Sequence, residues 1–415
     1  MTEPTGVPAN PRTESPETLF NRGFVLVCLL TFLTFFAAFQ LFPTVPIRLR
    51  ELGVSLAGSG RFLSIFTFGS ALGALATGPL GDRVGHRRIV VGSAFAFALF
   101  LLAYALIRRP WLFFLLAFPH GVVWSGLLTS TMATLSSVLP QSRRVDGLSL
   151  YGLASPGGVV FGPALALWLQ HRWGFPLVAL LLAVIFTGLA FYARILPSVR
   201  PSGERRSPVQ LPEGKVLAPC LILFTSALGY GALTSYTAQE ALALGTAFPS
   251  AFLTAMAVGM VAMRLAMIRV GFGERPIRLL PGMLGGATAG MLVLTLVPGG
   301  LLRHALAGAL YGGGYSMMHT LLNAYVLDHV DPGRRGAAFG ALLFSFDSGI
   351  GLGAWLLGGL IGAAVAGGPL AGVAGYRVGW AAGTLLLALA WWLARRLAIR
   401  SGQVFLPGDP PRVGQ

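Results

Sequence analysis

The sequence predicts an all-α integral membrane protein whose twelve transmembrane helices form two six-helix repeats. Three observations lead to this prediction. Of the 415 residues, 55% are apolar and 11% are charged, whereas soluble domains are roughly 25% charged. The mean hydropathy is +0.74. Twelve apolar stretches are each about long enough to cross a bilayer, and the two halves of the chain share residues at one offset.

The apolar stretches predict helices rather than barrel strands, because they are continuous and do not alternate with polar residues. The twelve predicted spans cover residues 24–43, 61–81, 89–107, 111–138, 147–169, 174–194, 216–236, 247–268, 278–297, 302–327, 337–362 and 376–397.

The longest polar connection, residues 195–215, is rich in Pro, Ser and Arg and is interpreted as a cytoplasmic linker. It separates an N-terminal bundle, residues 20–194, from a C-terminal bundle, residues 216–398. Residues 1–19 are predicted to be a disordered cytoplasmic tail, and residues 399–415 a second cytoplasmic tail.

An internal repeat relates the two bundles at an offset of 191 residues. Tandem halves of the same topology are the parallel repeats of one transporter class, whose substrate path lies between the halves near the membrane midplane. The matching pairs are Arg143 with Arg334, Arg144 with Arg335, Gly158 with Gly349 and Gly162 with Gly353.

The formal net charge of +16 is interpreted as a topology signal. If both termini are cytoplasmic, 22 of the 30 basic residues fall on the cytoplasmic side, as the positive-inside rule requires. Arg264 is counted there, with the basic residues of the connection between spans eight and nine. No nucleic-acid module accompanies the charge, so the bilayer is the expected partner. No P-loop, nucleophile elbow or Cys/His metal spacing occurs. We therefore predict no enzyme activity, no cofactor and no metal.

The loop between spans two and three reads Gly-Pro-Leu-Gly-Asp-Arg-Val-Gly-His-Arg-Arg from Gly78. It resembles the G-x-L-x-D-R-x-G-R-R loop of the major facilitator superfamily, and the twelve spans and central linker extend that resemblance. The resemblance implies a monomeric secondary transporter of the bacterial inner membrane that works by alternating access. It also implies a gating role for Gly78, Asp82, Arg83, Gly85 and Arg87. The alternative is a basic turn that only fixes topology.

Span five contains a G-x-x-x-G-P pattern at Gly158, Gly162 and Pro163. Such small residues let another helix approach closely. The pattern also looks like the antiporter motif of the drug-efflux branch, which implies export by antiport. Ordinary helix packing is the alternative. The arginine that this branch carries in span four is replaced by Ala117, so proton-coupled drug antiport is not carried over directly.

Asp347 is the one carboxylate that the sequence places well inside an apolar run, on the order of 15 Å deep in span eleven. His319 of span ten is expected at a similar depth. Charges are costly in the membrane and are functional candidates by default, and histidine exchanges protons readily. Three interpretations stay open for this pair: proton relay, substrate contact, or a buried structural pair.

Polar and aromatic residues are the candidates for a substrate cavity, because the resemblance implies that the first and fourth helices of each half line it. Lipid-facing or core aromatics are the alternative. The weaker candidates are Gln40 of span one and Tyr230, Tyr236 and Gln239 of span seven. Gln239 and Glu240 are also expected to reach the outer loop. The cavity candidates are Gln40, His120, Trp124, Tyr230, Tyr311, Tyr315 and Asn323.

The leading hypothesis is a secondary transporter that exports small amphipathic molecules, with protons as the coupling ion. The second keeps the fold but assigns it to a specific sugar, amino acid or lipid-like metabolite. The third is a non-transporting membrane sensor or a polytopic membrane enzyme.

Overall fold

A computed structural model of the chain describes residues 19–140, 144–198, 214–270, 276–330, 335–367 and 372–400. Within these ranges the chain forms sixteen α-helices. They are α1 (Arg22–Ala38), α2 (Leu41–Glu51), α3 (Leu56–Ser59), α4 (Arg61–Val84), α5 (His86–Leu106), α6 (Pro110–Val138), α7 (Arg144–Tyr151), α8 (Ala154–Trp173), α9 (Phe175–Tyr192), α10 (Leu217–Ala243), α11 (Ala251–Val270), α12 (Leu279–Leu296), α13 (Leu301–Tyr315), α14 (Met318–His329), α15 (Arg335–Gly367) and α16 (Tyr376–Arg400).

These helices make twelve membrane crossings, as the sequence predicts. Three crossings consist of two helices in series: α1 with α2, α7 with α8, and α13 with α14. In the described residues, nine helical segments have the length and composition of a membrane span. The other three crossings are α4, α8 and the interrupted pair α13–α14, whose two parts are too short individually.

The two halves of the chain, α1–α9 and α10–α16, pack their helices in the same order. In the N-terminal half α4 packs against α6, α5 against α9, and α1 against α8. The C-terminal half has the equivalent pairs: α11 with α13, α12 with α16, and α10 with α15. The halves are therefore structural repeats, as the residue offset indicates.

Glycines of the repeat make the same contact in both halves. A methyl group on Gly158 would overlap the carbonyl oxygen of Phe32 on α1, and one on Gly349 would lie 2.6 Å from the carbonyl oxygen of Phe224 on α10. Gly162 and Gly353 make the next contacts along the same helices. Small residues here let the backbones approach closely. The arginine pairs of the repeat lie outside the residues whose side chains are described.

Each half has six crossings, so residues 19, 198, 214 and 400 lie on one side of the molecule. We call this side the linker face and the opposite side the distal face. The outer surface of the bundle is apolar, with Val184 70% exposed and Leu385 72% exposed, as a bilayer requires. The predicted tails, and the linker between residues 199 and 213, lie outside the described residues, so their boundaries stay predictions.

Candidate functional site

The two halves meet along α4 and α15, and also along α8 and α11. Asp347 of α15 lies at the first of these contacts. Its Oδ2 accepts a hydrogen bond from the Ser70 hydroxyl of α4 at 2.8 Å. One turn further along α15, the carbonyl oxygen of Gly351 accepts a hydrogen bond from the Ser64 hydroxyl of α4 at 2.6 Å. Glycine is required here, because a methyl group on Gly351 would overlap Oγ1 of Thr67. A buried carboxylate of one half thus contacts a hydroxyl of the other.

The halves are also joined closer to the distal face. Gln239 donates to the Ser59 hydroxyl at 3.3 Å, and the Tyr236 hydroxyl lies 3.5 Å from the Ala57 carbonyl oxygen. These contacts lie near the distal ends of their helices, whereas the bond from Ser70 to Asp347 lies near the middle of α4 and α15. The described hydrogen bonds between the halves therefore run from the middle of the helices to the distal face.

A column of stacked tyrosines crosses the middle of the C-terminal half. The ring centroids of Tyr230 and Tyr315 are 5.2 Å apart with an interplanar angle of 14°. Those of Tyr315 and Tyr311 are 5.1 Å apart at 17°. All three side chains are buried, and Tyr311 also contacts Phe252 of α11. In this state the column is packed and does not face open space.

His319 is the second residue of α14, and its ring lies edge-on to Phe346 with centroids 4.3 Å apart. Phe346 precedes Asp347, so His319 and Asp347 are in the same region. No hydrogen bond joins the two in the described part of the chain, and Nε2 of His319 is buried without a partner. The two residues therefore lie in the same region without a described hydrogen bond between them, and the three interpretations of the pair stay open.

Arg264 lies near this region, on α11, whereas the count of basic residues assigned it to the connection between spans eight and nine. Its Nη2 donates to the carbonyl oxygen of Ser316 at 2.9 Å. Ser316 lies where span ten is interrupted between α13 and α14. The Nε of Arg264 is buried without a partner. Arg264 falls inside the apolar run 247–268, so the criterion that selected Asp347 would have selected it too.

The N-terminal candidates occupy different environments. Trp124 is buried and contacts Phe35 edge-on, with centroids 5.5 Å apart. The structure places His120 inside the N-terminal bundle rather than between the halves. Its ring lies among aromatic rings of α4 and α5, at 4.0 Å from Phe97, and its Nδ1 lies 3.3 Å from the Tyr104 hydroxyl.

The surroundings of Gln40 and Asn323 also differ from those expected of residues that line a cavity. The Gln40 amide donates to the carbonyl oxygen of Phe36 within α1, and its side chain packs against Gly162 of α8. This contact belongs to the packing of span one on span five. Asn323 is half-buried on α14.

Glu240 corrects the prediction for the end of span seven. The apolar run predicts that the span ends at residue 236, but α10 continues to Ala243, and Glu240 is buried there at 1% exposure. It accepts hydrogen bonds at 2.9 Å from Nη1 of Arg303 and from Nε1 of Trp380. Nε2 of His304 lies 3.3 Å from the same carboxylate. Asp347 is therefore not the only interior carboxylate.

The gating motif lies at the linker face, between α4 and α5. Gly85 has a φ of 101°, a backbone conformation that favours glycine, and it ends α4 and begins α5. Arg83 is exposed, and Arg87 donates to the Leu196 carbonyl oxygen of its own half at 3.4 Å. Gly78 and Asp82 lie outside the residues whose side chains are described.

Comparison with known proteins agrees with this architecture. The sequence profile of the Major Facilitator Superfamily matches residues 27–354. The chain belongs to the major facilitator superfamily. It is therefore a membrane transporter and not an enzyme, which excludes the third hypothesis.

Individual relatives divide between two kinds of substrate. A gentisate transporter from Corynebacterium glutamicum is 25% identical over 398 residues, which cover 85% of this chain and 84% of the relative. Multidrug resistance protein MdtG from Yersinia enterocolitica is 26% identical over 192 residues, 44% of this chain and 46% of the relative. The superfamily is thus established, whereas the drug-efflux branch is not.

Two solved structures share the fold. A single-residue variant of the nucleoside transporter NupG aligns with a TM-score of 0.70 at 14% identity, covering 90% of this chain and 99% of that one. The human organic anion transporter MFSD10 aligns at 0.68 with 18% identity, covering 90% and 99%. At these identities the likeness concerns the fold alone.

Proposed function

We propose that the chain is a proton-coupled secondary transporter that exports small amphipathic molecules by alternating access. The observation that carries the proposal is the hydrogen bond from Ser70 to Asp347, which joins a buried carboxylate of one half to the other half. A rocking motion of the halves must break this bond. Protonation of the carboxylate can therefore be linked to the motion.

The orientation in the membrane is part of the proposal. The linker face carries most of the basic residues, so the positive-inside rule makes it cytoplasmic. The halves are joined near the distal face, which corresponds to a state open to the cytoplasm. The opposite state forms when those contacts separate and the gating motif of Gly85 and Arg87 brings the cytoplasmic ends together.

Asp347 supplies the coupling in this scheme. An ionised carboxylate is costly to enclose in the membrane, whereas the neutral acid is far less costly. A proton taken up from outside therefore permits closure of the distal face and is released when the cytoplasmic face opens. The substrate then occupies the site for the return step, so protons move inward and substrate outward.

The test uses Asp347→Asn in proteoliposomes, with labelled gentisate as the first probe because of the relative of that name. We expect proton-driven transport to be lost while counterflow, which exchanges substrate without a gradient, is retained. The matched control is Glu51→Gln, an exposed carboxylate paired with Arg48 at the distal face, which should leave both unchanged. Normal proton-driven transport by the Asp347 variant would refute the proposal.

A second candidate function is a permease for one defined metabolite. The gentisate transporter favours this candidate, because it matches most of both chains. Thermal-shift screening of the purified protein against drugs, sugars, amino acids and aromatic acids separates the two. Stabilisation by several unrelated amphipathic compounds supports the exporter, whereas stabilisation by a single metabolite supports the permease.

A further inference from the structure

We propose that Arg264 binds the anionic group of the transported molecule, so that the substrate class is an organic carboxylate with an apolar or aromatic body. This inference rests on the proposed transport function and specifies its substrate. The first reason is position. Arg264 lies in α11, six residues before the helix ends at Val270, and its side chain is half-buried in the C-terminal half.

The second reason is that the charge of Arg264 is not neutralised. Across the described residues, no carboxylate lies within ion-pair distance of its guanidinium. The group donates one hydrogen bond, to the Ser316 carbonyl oxygen, although it has five N–H donors. Nε is buried and has no partner. Arg303, the fully buried arginine of this half, is paired with Glu240 at 2.9 Å.

An unpaired cation in this position is unfavourable, because an ion removed from water needs an opposite charge and satisfied hydrogen bonds. A carboxylate supplies both, since it accepts two parallel hydrogen bonds from a guanidinium. With one nitrogen held by Ser316, the remaining donors are oriented by that bond. The arginine is thus fixed in position for an anion that the protein itself does not provide.

The third reason is the surroundings, which favour an organic anion over an inorganic one. Ser316 follows Tyr315, the central ring of the tyrosine column. His319 lies three residues after Ser316, in the first turn of α14, and its buried Nε2 has no partner, so it can add a hydrogen bond to the same ligand. Apolar and aromatic surroundings with a few fixed polar groups are the composition of sites that bind small organic molecules.

A structural role for Arg264 makes a different prediction. The break between α13 and α14 leaves carbonyl oxygens without their helical partners, and Arg264 could serve only to satisfy Ser316. A lysine would then suffice, since one N–H donor is enough. Recognition of a carboxylate by two parallel bonds requires the planar guanidinium instead.

The experiment compares benzoate with benzamide, its neutral isostere, by thermal stabilisation of the purified full-length protein without a proton gradient. We expect benzoate to stabilise the wild type at concentrations at least tenfold lower than benzamide. Arg264→Lys should reduce this preference about tenfold, and Arg264→Gln should abolish it while the response to benzamide persists. Arg269→Gln, an exposed arginine in the last turn of α11, should behave as wild type.

Several outcomes would overturn the inference. The first is an equal response of the wild type to benzoate and benzamide. The second is an Arg264→Gln protein that still prefers benzoate to benzamide. The third is an Arg264→Lys protein whose preference equals that of the wild type. Because Arg264→Lys retains the charge and the bond to Ser316, it remains informative if the glutamine variant does not fold. The assay needs no gradient, so its result is independent of the Asp347→Asn test of proton coupling.

Discussion

Glu240 and Asp347 are both buried carboxylates of the C-terminal half, but their partners differ. Glu240 contacts Arg303, His304 and Trp380, and all of these belong to its own half. Asp347 has one described hydrogen bond, from Ser70 of the other half. A carboxylate tied to several groups of one bundle moves with that bundle as a unit. A carboxylate whose partner lies across a moving interface must exchange that partner in every cycle.

The comparison distinguishes a carboxylate that stabilises its own half from a carboxylate that can gain and lose a proton during transport. The Glu240 cluster connects α10, α13 and α16 near the distal face, and the same turn of α10 carries Gln239, which contacts the other half. The cluster thereby fixes the end of α10 against which the N-terminal half closes. Asp347 contributes little to holding its own half together, so its protonation can change at a small structural cost.

The largest expected effect concerns Glu240→Gln. The substitution leaves Arg303 buried without an opposite charge, and breaking a buried pair in this way costs roughly 3–5 kcal/mol. We expect a clear fall in the unfolding temperature of the purified protein, measured by thermal denaturation in detergent. Glu51→Gln, in an exposed pair with Arg48, should produce no measurable change. Equal unfolding temperatures for the two variants would contradict the comparison.

An intermediate effect is expected for Gly353→Ala. This substitution alters the contact between α10, which carries Glu240, and α15, which carries Asp347. A methyl group here would overlap the Leu228 carbonyl oxygen of α10, and overpacking of this kind costs about 1–3 kcal/mol. The strain falls on α15 and not on the Glu240 cluster. We therefore expect a lower unfolding temperature together with altered transport by the folded protein.

Gly359→Ala is the matched control for that substitution. Gly359 also lies in α15, but a methyl group there meets nothing within 4 Å. Alanine is favoured over glycine in a helix by roughly 0.5–1 kcal/mol, so this variant should be as stable as wild type or slightly more stable. A similar loss of stability in both variants would contradict the assignment of the Gly353→Ala effect to the contact with α10.

The sequence predicted the crossings and the repeat, because both depend on local features: continuous apolar runs and glycines at a fixed offset. It also selected Asp347, an isolated charge within such a run. It missed Glu240, because the apolar run ends before α10 does. It misjudged Arg264, because a charge near the end of a span was assigned to the adjacent loop.

The contact partners of the buried carboxylates could not be predicted from the sequence in the same way. Ser70 and Asp347 are 277 residues apart, and Glu240 and Arg303 are 63 apart. One sequence does not specify which helix faces meet. His120 illustrates the same limit, since its place in span four suggested a cavity residue, whereas packing directs its ring among aromatic side chains of the N-terminal bundle. The repeat indicated the pairing of helices but not the rotation of each helix about its axis.

The smallest expected effect, and the most specific one, concerns Ser70→Ala. The substitution removes one hydrogen bond from Asp347 without introducing a new group, and such a bond contributes about 1 kcal/mol. The unfolding temperature should therefore fall by much less than in Glu240→Gln. Because the lost bond joins the halves, the variant should favour the state in which the distal face is open.

A cysteine introduced at Ala57, in a protein whose Cys28 and Cys220 are replaced by serine, reports this opening of the distal face when it is labelled with a reagent that does not cross the membrane. The control is Ser136→Ala, an exposed serine of α6 whose bonds stay within its own helix. Faster labelling in Ser70→Ala than in the control is the expected result. Equal rates would mean that the bond between Ser70 and Asp347 does not contribute to closing the distal face. The contrast between the two carboxylates would then rest on Glu240 alone.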